Sequence, residues 1–566
     1  MNPWQIARRH RALLLTGILL GLAGAAATLA QPLVIGGMIE AFAADRPLTG
    51  PILLAAALFA ADAVLAAAHA YAIGRAGEDV VYDIRHTLGA RLLRSRLRSY
   101  DRWDQGDVFT RMVTDTSLAR VCMTQALAQI VTSAFMVLGG IAMMAWIDPL
   151  LLATTLACLG TASAVSLLLA RRVRLVAVAN REDTGVYGSA LMRVLGALPT
   201  VKASRAEERE TEHLGGLADR ARRSGVRVSA LSALLTPAMN VGTQIALTVV
   251  IAWGMARVAT GDMAPADLTS FMMYLFYLVA PLVMLFMSIA QFQQGRASLD
   301  RLSELGAIEQ EDAGPPAHAP VDGHGLVFDG VTFAYPGSDT PVLHEVSLTV
   351  PDRGLTAVVG PSGAGKSTLF QLAERLHEPS AGTIRIGRTD TARMPLDQLR
   401  SLVGYVDQEH TLLRGTVREN LTYAAPGATG EDIAEALRMA HLTDVVAALP
   451  DGLDTELGER GAGLSGGERQ RLAIARTLLQ KPRIVLLDEA TASLDGASEA
   501  ALRDSIAAIA RTRAVVAIAH RFSTITRADR IIVLDRGRVQ AVGTHADLSE
   551  ESGLYRRLAE HQGVAA

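Results

Sequence analysis

Six apolar runs, each long enough to cross a lipid bilayer as a helix, constrain this chain before any other feature does. They lie at approximately Leu13–Phe42, Pro51–Ile73, Ala126–Ile147, Leu150–Ala170, Leu234–Val258 and Leu268–Gln291, and about 20 apolar residues suffice for one crossing. Hydrocarbon offers no partner to open backbone, so these runs are expected to be helices. The first follows Arg8, Arg9 and Arg11 and contains Ala27-Thr-Leu-Ala30, which resembles a cleaved secretory signal. It stays apolar through Leu33–Ile39, too long for a signal core. Orientation comes from the loops. Arg75–Arg120 carries nine arginines and Arg171–Arg227 carries eleven plus Lys202, whereas Ala43–Gly50, Asp148–Pro149 and Thr260–Asp267 carry only Arg46. Basic loops stay cytoplasmic, so both termini and the long loops at about 75–125 and 171–230 are expected there, with the chain in the plasma (inner) membrane. Val80, Ile84, Leu88 and Leu92 at helical spacing extend the spans into the cytoplasm.

Half of the 566 residues are apolar and 20% are charged, which disfavours both a disordered chain and an ordinary soluble enzyme. With 54 basic against 57 acidic residues there is no excess to neutralise phosphates, and no nucleic-acid partner is expected. Cys122 and Cys158 stand apart in apolar surroundings and read as packing residues. The expected organisation is an all-α membrane domain of six helices over 1–305, a linker over 306–324 containing Glu309, Glu311, Asp312, Pro315, Pro316 and Pro320, and an α/β P-loop NTPase domain over 325–566.

The soluble part carries the chemistry. Leu355–Val359 is a short apolar strand, and Gly360-Pro-Ser-Gly-Ala-Gly-Lys-Ser-Thr368 leads from it into a helix. Glycines at Gly360, Gly363 and Gly365, with Ser362 and Ala364 between them, let backbone N–H groups close on phosphate oxygens. Lys366 adds a point charge, Ser367 a Mg²⁺-ligating hydroxyl, and Thr368 continues into the helix. Lys366 is one of only three lysines, beside Lys202 and Lys481, in a chain that otherwise uses arginine. Further on, Arg483-Ile-Val-Leu-Leu-Asp-Glu489 is a buried strand ending in two carboxylates. Asp488 suits the Mg²⁺ and Glu489 the attacking water as general base. Between them, Gly463-Leu-Ser-Gly-Gly-Glu468 opens a helix, and Ser465, Gly466 and Gly467 at its N-terminus suit an anion.

These motifs together resemble the ATP-binding cassette family, whose signature motif is Leu-Ser-Gly-Gly-Gln; here Glu468 stands in the place of that Gln. The resemblance covers nearly the whole chain and implies an exporter-type half-transporter. It implies that Tyr335 stacks on adenine, that Gln408 touches Mg²⁺ and water and senses the membrane domain, that Asp495 communicates across a dimer, and that His520 contacts the γ-phosphate. Asp101–Asp107 with Arg111 and Asp115 resembles one coupling region, Leu198–Lys202 resembles another less specifically, and Thr455–Arg460 resembles a loop that contacts the membrane domain. Such proteins sandwich two ATPs between head-to-tail cassettes, so a second half-transporter chain is implied. A homodimer is preferred because Glu489 and His520 are both intact, and a heterodimer is the alternative.

Within the spans, Asp62 and His69 lie seven residues apart on one face. A carboxylate at membrane depth faces a cavity or joins helices through a polar contact. Asn240 and Gln244 at i,i+4 are also candidates for the substrate path. The expected activity is ATP-driven export of an amphipathic or hydrophobic small molecule, peptide or lipid. Import of a siderophore-like compound on the same architecture, or an ATP-gated channel or sensor, are the alternatives. No residue pattern names the ligand.

Overall fold

The computed structural model describes residues 5–6, 8–315, 321–323, 325–335, 337–338, 340–408, 410–458, 461–488, 496–519 and 525–560. The chain forms two compact units, Met1–Ala90 with Gln105–Ala307, and Arg91–Asp104 with Ile308–Ala566.

The first unit is helical: α1 Arg11–Ala43, α2 Thr49–Leu93, α3 Gln105–Ile147, α4 Pro149–Gly196, α5 Glu207–Ser232, α6 Leu235–Thr260 and α7 Pro265–Leu305. By length and composition, α1, α2, α3, α6 and α7 contain stretches apolar enough to cross a membrane, and the run Leu150–Ala170 lies on α4. At 45 residues α2 is about 67 Å long, more than twice the hydrocarbon thickness of about 30 Å, so its polar end leaves the bilayer. The turn between α3 and α4 is set by Asp148. Its carboxylate accepts from the N–H groups of Leu150 and Leu151 at 2.9 and 3.0 Å, Pro149 occupies the first helical position, and Arg257 of α6 pairs with the same carboxylate.

Two apolar clusters hold this unit. Val80, Ile84 and Leu88 of α2 pack with Ala119, Cys122 and Met123 of α3 and Leu299 and Leu302 of α7. Met144, Leu151, Val250, Phe271, Tyr274 and Leu275 form the other. Gly295 lets α7 approach α3, since a Cβ there would overlap the Cys122 side chain and crowd the Leu118 carbonyl. Many large apolar side chains instead face outward, among them Leu19, Leu53, Leu138 and Trp146, as suits a surface solvated by lipid.

The second unit is built on a six-stranded sheet. Its strands are β3 Gly354–Val359, β5 Val403–Val406, β6 Ile484–Leu487, β7 Ala514–Ile518, β8 Arg530–Asp535 and β9 Arg538–Gly543, in the order β9-β8-β3-β7-β6-β5. Every pairing is parallel except β8 with β9. Both faces are covered, which explains why these strands read as unbroken apolar runs. Val485 and Leu487 of β6 point into one cluster with the helices, while Ile484 and Leu486 point into the other. That second cluster is shared with an antiparallel sheet in which β1 Leu326–Phe333 lies between β2 Leu343–Val350 and β4 Ala381–Ile386.

The segment Arg91–Asp104 joins this unit by pairing with the beginning of the polar linker. Arg96 N–H donates to the Glu309 carbonyl at 2.9 Å and Glu311 N–H to the Arg94 carbonyl at 2.8 Å. Arg98 pairs with Glu309 at 2.9 Å and Arg96 with Glu378 at 3.5 Å. The stretch read as a polar linker is paired over Ile308–Asp312 with a strand-like partner about 210 residues earlier in the chain.

Candidate functional site

All the parallel strands point the same way, so the loops at their C-terminal ends gather on one edge, where ligands of open α/β sheets bind. From β3 the chain passes through Gly360–Gly365 into helix α8, Lys366–Ala373. Gly363 and Gly365 have φ of 78° and 96°, the left-handed region a side chain disfavours. A Cβ on Gly360 would overlap the Leu534 carbonyl oxygen. Lys366 is 7% exposed, and its Nζ donates to the carbonyl oxygens of Gly360 and Pro361 at 2.9 and 3.0 Å. The loop therefore holds its ammonium across its own mouth. Ser362, Gly363 and Ser367 are exposed there, and Ala364 and Thr368 are buried beneath.

Asp488 follows β6 and is 3% exposed. Tyr405 of β5 donates its hydroxyl to Asp488 Oδ2 at 3.3 Å. Burial, then the charges of Asp488 and Asp407, push the Tyr405 phenol up, so it stays a neutral donor. Gln408 is exposed just past β5. Tyr335 sits beside α8, its hydroxyl bonded to Thr368 Oγ1 and Gln371 Oε1, each at 3.0 Å. Its ring meets Phe333 and His377 edge to face, with centroids 5.0 and 5.4 Å apart. Burial holds the His377 imidazole below its ordinary range. The phosphate loop, Tyr335 and Asp488 thus share one edge of one unit.

Ser465 lies apart from them as the N-cap of the helix Gly466–Leu479. Glu468 N–H donates to Ser465 Oγ at 3.3 Å, and Glu468 Oε2 accepts from Ser465 N–H at 2.7 Å. This capping box gives a physical account of Glu468: a Gln would close the same box through its amide oxygen. Among the described residues Ser465 and Glu468 bond to no residue of the phosphate loop, and Ser465 and Gly466 are exposed. Glu489, Asp495 and His520 lie outside the described residues, as do Glu459 and Arg460; the strands that precede Glu489 and His520 end on the same edge.

In the helical unit, Thr28 of α1 donates to Asp62 Oδ1 at 3.0 Å, and His69 Nδ1 lies 2.7 Å from the Gly17 carbonyl oxygen, so both polar residues of α2 meet α1. Tyr277 donates to Gln31 at 3.1 Å and Tyr274 to the Leu29 carbonyl at 2.7 Å, forming a polar seam along α1 that sequence reading missed. Its signal was Gln31, a lone amide in the first apolar run, which is 4% exposed. Asn240 and Gln244 are exposed on α6. Each precedes a residue, Val241 or Ile245, that lines an apolar cavity of about 590 Å³ between α6 and α4. Also missed was an ionic cluster in which Arg301 of α7 grips Asp115 of α3 through two nitrogens, at 2.7 and 2.5 Å.

A glycine-rich phosphate loop, its lysine and a buried aspartate on one edge of a parallel sheet, in a chain that also carries membrane helices, define a membrane-bound P-loop ATPase. Residues 14–282 match the family model described as ABC transporter transmembrane region, and residues 343–492 that described as ABC transporter. The chain is 31% identical over 550 residues to a multidrug resistance ABC transporter ATP-binding and permease protein of Lactococcus lactis subsp. cremoris, covering 96% of this chain and 92% of that one. It is 34% identical over 483 residues to an ATP-dependent lipid A-core flippase of Chromobacterium violaceum, covering 85% and 82%. Among solved structures it resembles a bacterial Atm1-family ABC exporter with ATP bound, with a TM-score of 0.82, 29% identity, and 98% and 99% of the two chains covered. The chain belongs to the ABC transporter family. It is an integral membrane protein that binds ATP and couples ATP hydrolysis to transport.

Proposed function

We propose that this chain exports an amphipathic or hydrophobic compound, a small molecule, peptide or lipid, from the cytoplasmic side of the plasma (inner) membrane, working as a homodimer. The observation that carries the reading is an ATP-binding edge and an apolar helical unit on one chain, similar over nearly its full length to a multidrug transporter and over most of it to a lipid A-core flippase. Ser465 and Gly466, exposed and apart from their own phosphate loop, suit the γ-phosphate held by a second copy. In that arrangement Lys366 leaves the Gly360 and Pro361 carbonyls for phosphate oxygens, Tyr335 meets adenine, and Glu489 takes the proton of the attacking water. His520 steadies the γ-phosphate, and Asp495 meets the second copy. Mg²⁺ fits the donors present: the Ser367 hydroxyl, the Gln408 amide oxygen and the Asp488 carboxylate are hard oxygen ligands, and phosphates and water complete the shell. The ion would offset charge on the phosphates as the bond breaks.

Directional pumping needs ATP to favour the closed cassettes and substrate to favour one access state. Asp62 is proposed to take part in that substrate preference, with His69, Asn240 and Gln244 along the same path. Its described partner is a neutral hydroxyl, which leaves the carboxylate charge available to a cationic group on a substrate. Asp62→Asn keeps an oxygen to accept from Thr28 and removes only the charge. ATP turnover of the chain in lipid nanodiscs, measured against a panel of amphipathic compounds, is the test. Stimulation is expected to change by about tenfold for the compounds that stimulate the parent, with basal turnover unaltered. Equal changes in both would show that Asp62 only joins α1 to α2.

A further inference from the structure

At the end of the central sheet opposite the phosphate loop, the second unit has a cavity of about 470 Å³, within the size range of small-molecule sites. Among the described residues it is lined by Arg353, Gly354 and Leu355 where β3 begins, by one face and the end of the helix Gly496–Ala510, and by Arg527 and Asp529 ahead of β8. Because β3 has six residues, its two ends lie about 20 Å apart, and the cavity is distinct from the ATP edge.

Its chemistry is two-sided. Arg503, Ile506, Ala507 and Ala510 fall at i, i+3, i+4 and i+7, one helical face, and with Leu355 the last three form an apolar floor. Four arginines, Arg353, Arg503, Arg511 and Arg527, line it with a single acidic residue, Asp529. That carboxylate is already engaged: its Oδ2 accepts from Leu355 N–H at 2.8 Å. Gly354, with φ of 100°, permits this approach, since a Cβ there would come within 2.7 Å of the same oxygen. Arg503 Nε is enclosed and makes no hydrogen bond; among the described residues the carboxylate within ion-pair distance, Asp504, is 4.0 Å away. Among the described residues, Arg353, Arg511 and Arg527 have no carboxylate within ion-pair distance. A helix C-terminus accounts for one cation, Arg511, through the dipole. It does not account for Arg353 and Arg527, which arrive from two other segments. Arginines from three segments lining one cavity without a carboxylate partner suit the oxygens of a phosphate, which guanidinium forks match.

We propose that this cavity binds a phosphate monoester with a small apolar body, its phosphate on the arginines and its apolar part on Leu355, Ile506, Ala507 and Ala510. Such a group comes from a soluble organic phosphate or from a phosphatidic acid headgroup.

The test is calorimetric titration of the full chain in phosphatidylcholine nanodiscs, with the ATP sites filled by a slowly hydrolysed ATP analogue and Mg²⁺. Phenyl phosphate is expected to bind with Kd of about 0.1–1 mM, and inorganic phosphate, which lacks the apolar body, several-fold more weakly. Arg503→Gln combined with Arg527→Gln is expected to weaken phenyl phosphate by at least about tenfold. Ala507→Glu, which sets a carboxylate on the floor one helical turn from both Arg503 and Arg511, is expected to do the same by pairing with them while leaving every arginine in place. Basal ATP turnover at the parent rate certifies that both variants fold. Repeating the titration in nanodiscs containing phosphatidic acid separates the sources: a raised apparent Kd assigns the site to the lipid headgroup, and an unchanged one to the soluble ester. Absence of binding by phenyl phosphate, or binding that both variants leave intact, overturns the proposal.

Discussion

Replacing Glu489 by glutamine is expected to lower ATP turnover by about a thousandfold, the scale on which a positioned general base contributes, while nucleotide affinity stays within about threefold. The split follows from the roles proposed for these groups. Lys366, Ser367 and the backbone of Gly360–Gly365 are proposed to hold phosphate at the end of β3, and Asp488 follows β6 on the same edge of the sheet; none of these roles depends on the Glu489 carboxylate. What is lost is the acceptor for the water's proton, because an amide of the same shape cannot take it. Lys366→Ala has the converse signature: its ammonium is the loop's buried cation, so ATP binding itself fails. Turnover and equilibrium binding of a fluorescent ATP analogue, read on the same nanodisc samples, separate the two. A Glu489→Gln chain keeping a tenth or more of parent turnover would mean that another group activates water.

The second large effect lies at the ionic cluster between α3 and α7. Asp115 has a side chain 2% exposed, whereas Arg301 is 45% exposed. Ser298 also donates to Asp115, at 3.0 Å. Arg111 ties in by donating to the Arg301 carbonyl at 2.6 Å and to Glu304 at 3.0 Å. The two halves of the pair are therefore unequal. Arg301→Met strands a buried carboxylate and is expected to cost about 3 kcal/mol, the lower end of the range for breaking a buried pair because Ser298 remains. Asp115→Asn leaves a guanidinium that water still reaches and is expected to cost about 1–2 kcal/mol. The double variant should lose less than the sum. Thermal unfolding midpoints at one scan rate order the three; equal losses for the two single variants would show that burial of Asp115 does not set the cost.

The reason the ATP edge was legible in sequence is that its chemistry is local. A strand, a glycine loop, a lysine and a helix start are consecutive residues, and glycine at Gly363 and Gly365 is required by backbone conformation rather than by distant packing. The apolar runs were legible because a bilayer imposes length and hydropathy on each span by itself. What escaped is contact between residues far apart in the chain. Arg301 meets Asp115 across 186 positions, and Gln310 meets the Arg91 carbonyl across 219. Four cavity arginines come from three segments, and no period or spacing links them. Glu468 is intermediate: the departure from the family's Gln was visible, but its neutrality for the helix start follows only from the capping bonds with Ser465.

The central claim is that each ATP site combines the phosphate loop of one copy with Ser465 of another, and complementation tests it most directly. Lys366→Ala and Ser465→Arg chains are purified separately and also co-expressed, and ATP turnover is measured for each in nanodiscs. Each variant alone is expected to be inactive. Mixed dimers rebuild one intact site of two, so the co-expressed sample should regain up to about a quarter of parent turnover under random pairing. Turnover by the Ser465→Arg chain alone, or a co-expressed sample that stays inactive, would contradict a site shared between two copies.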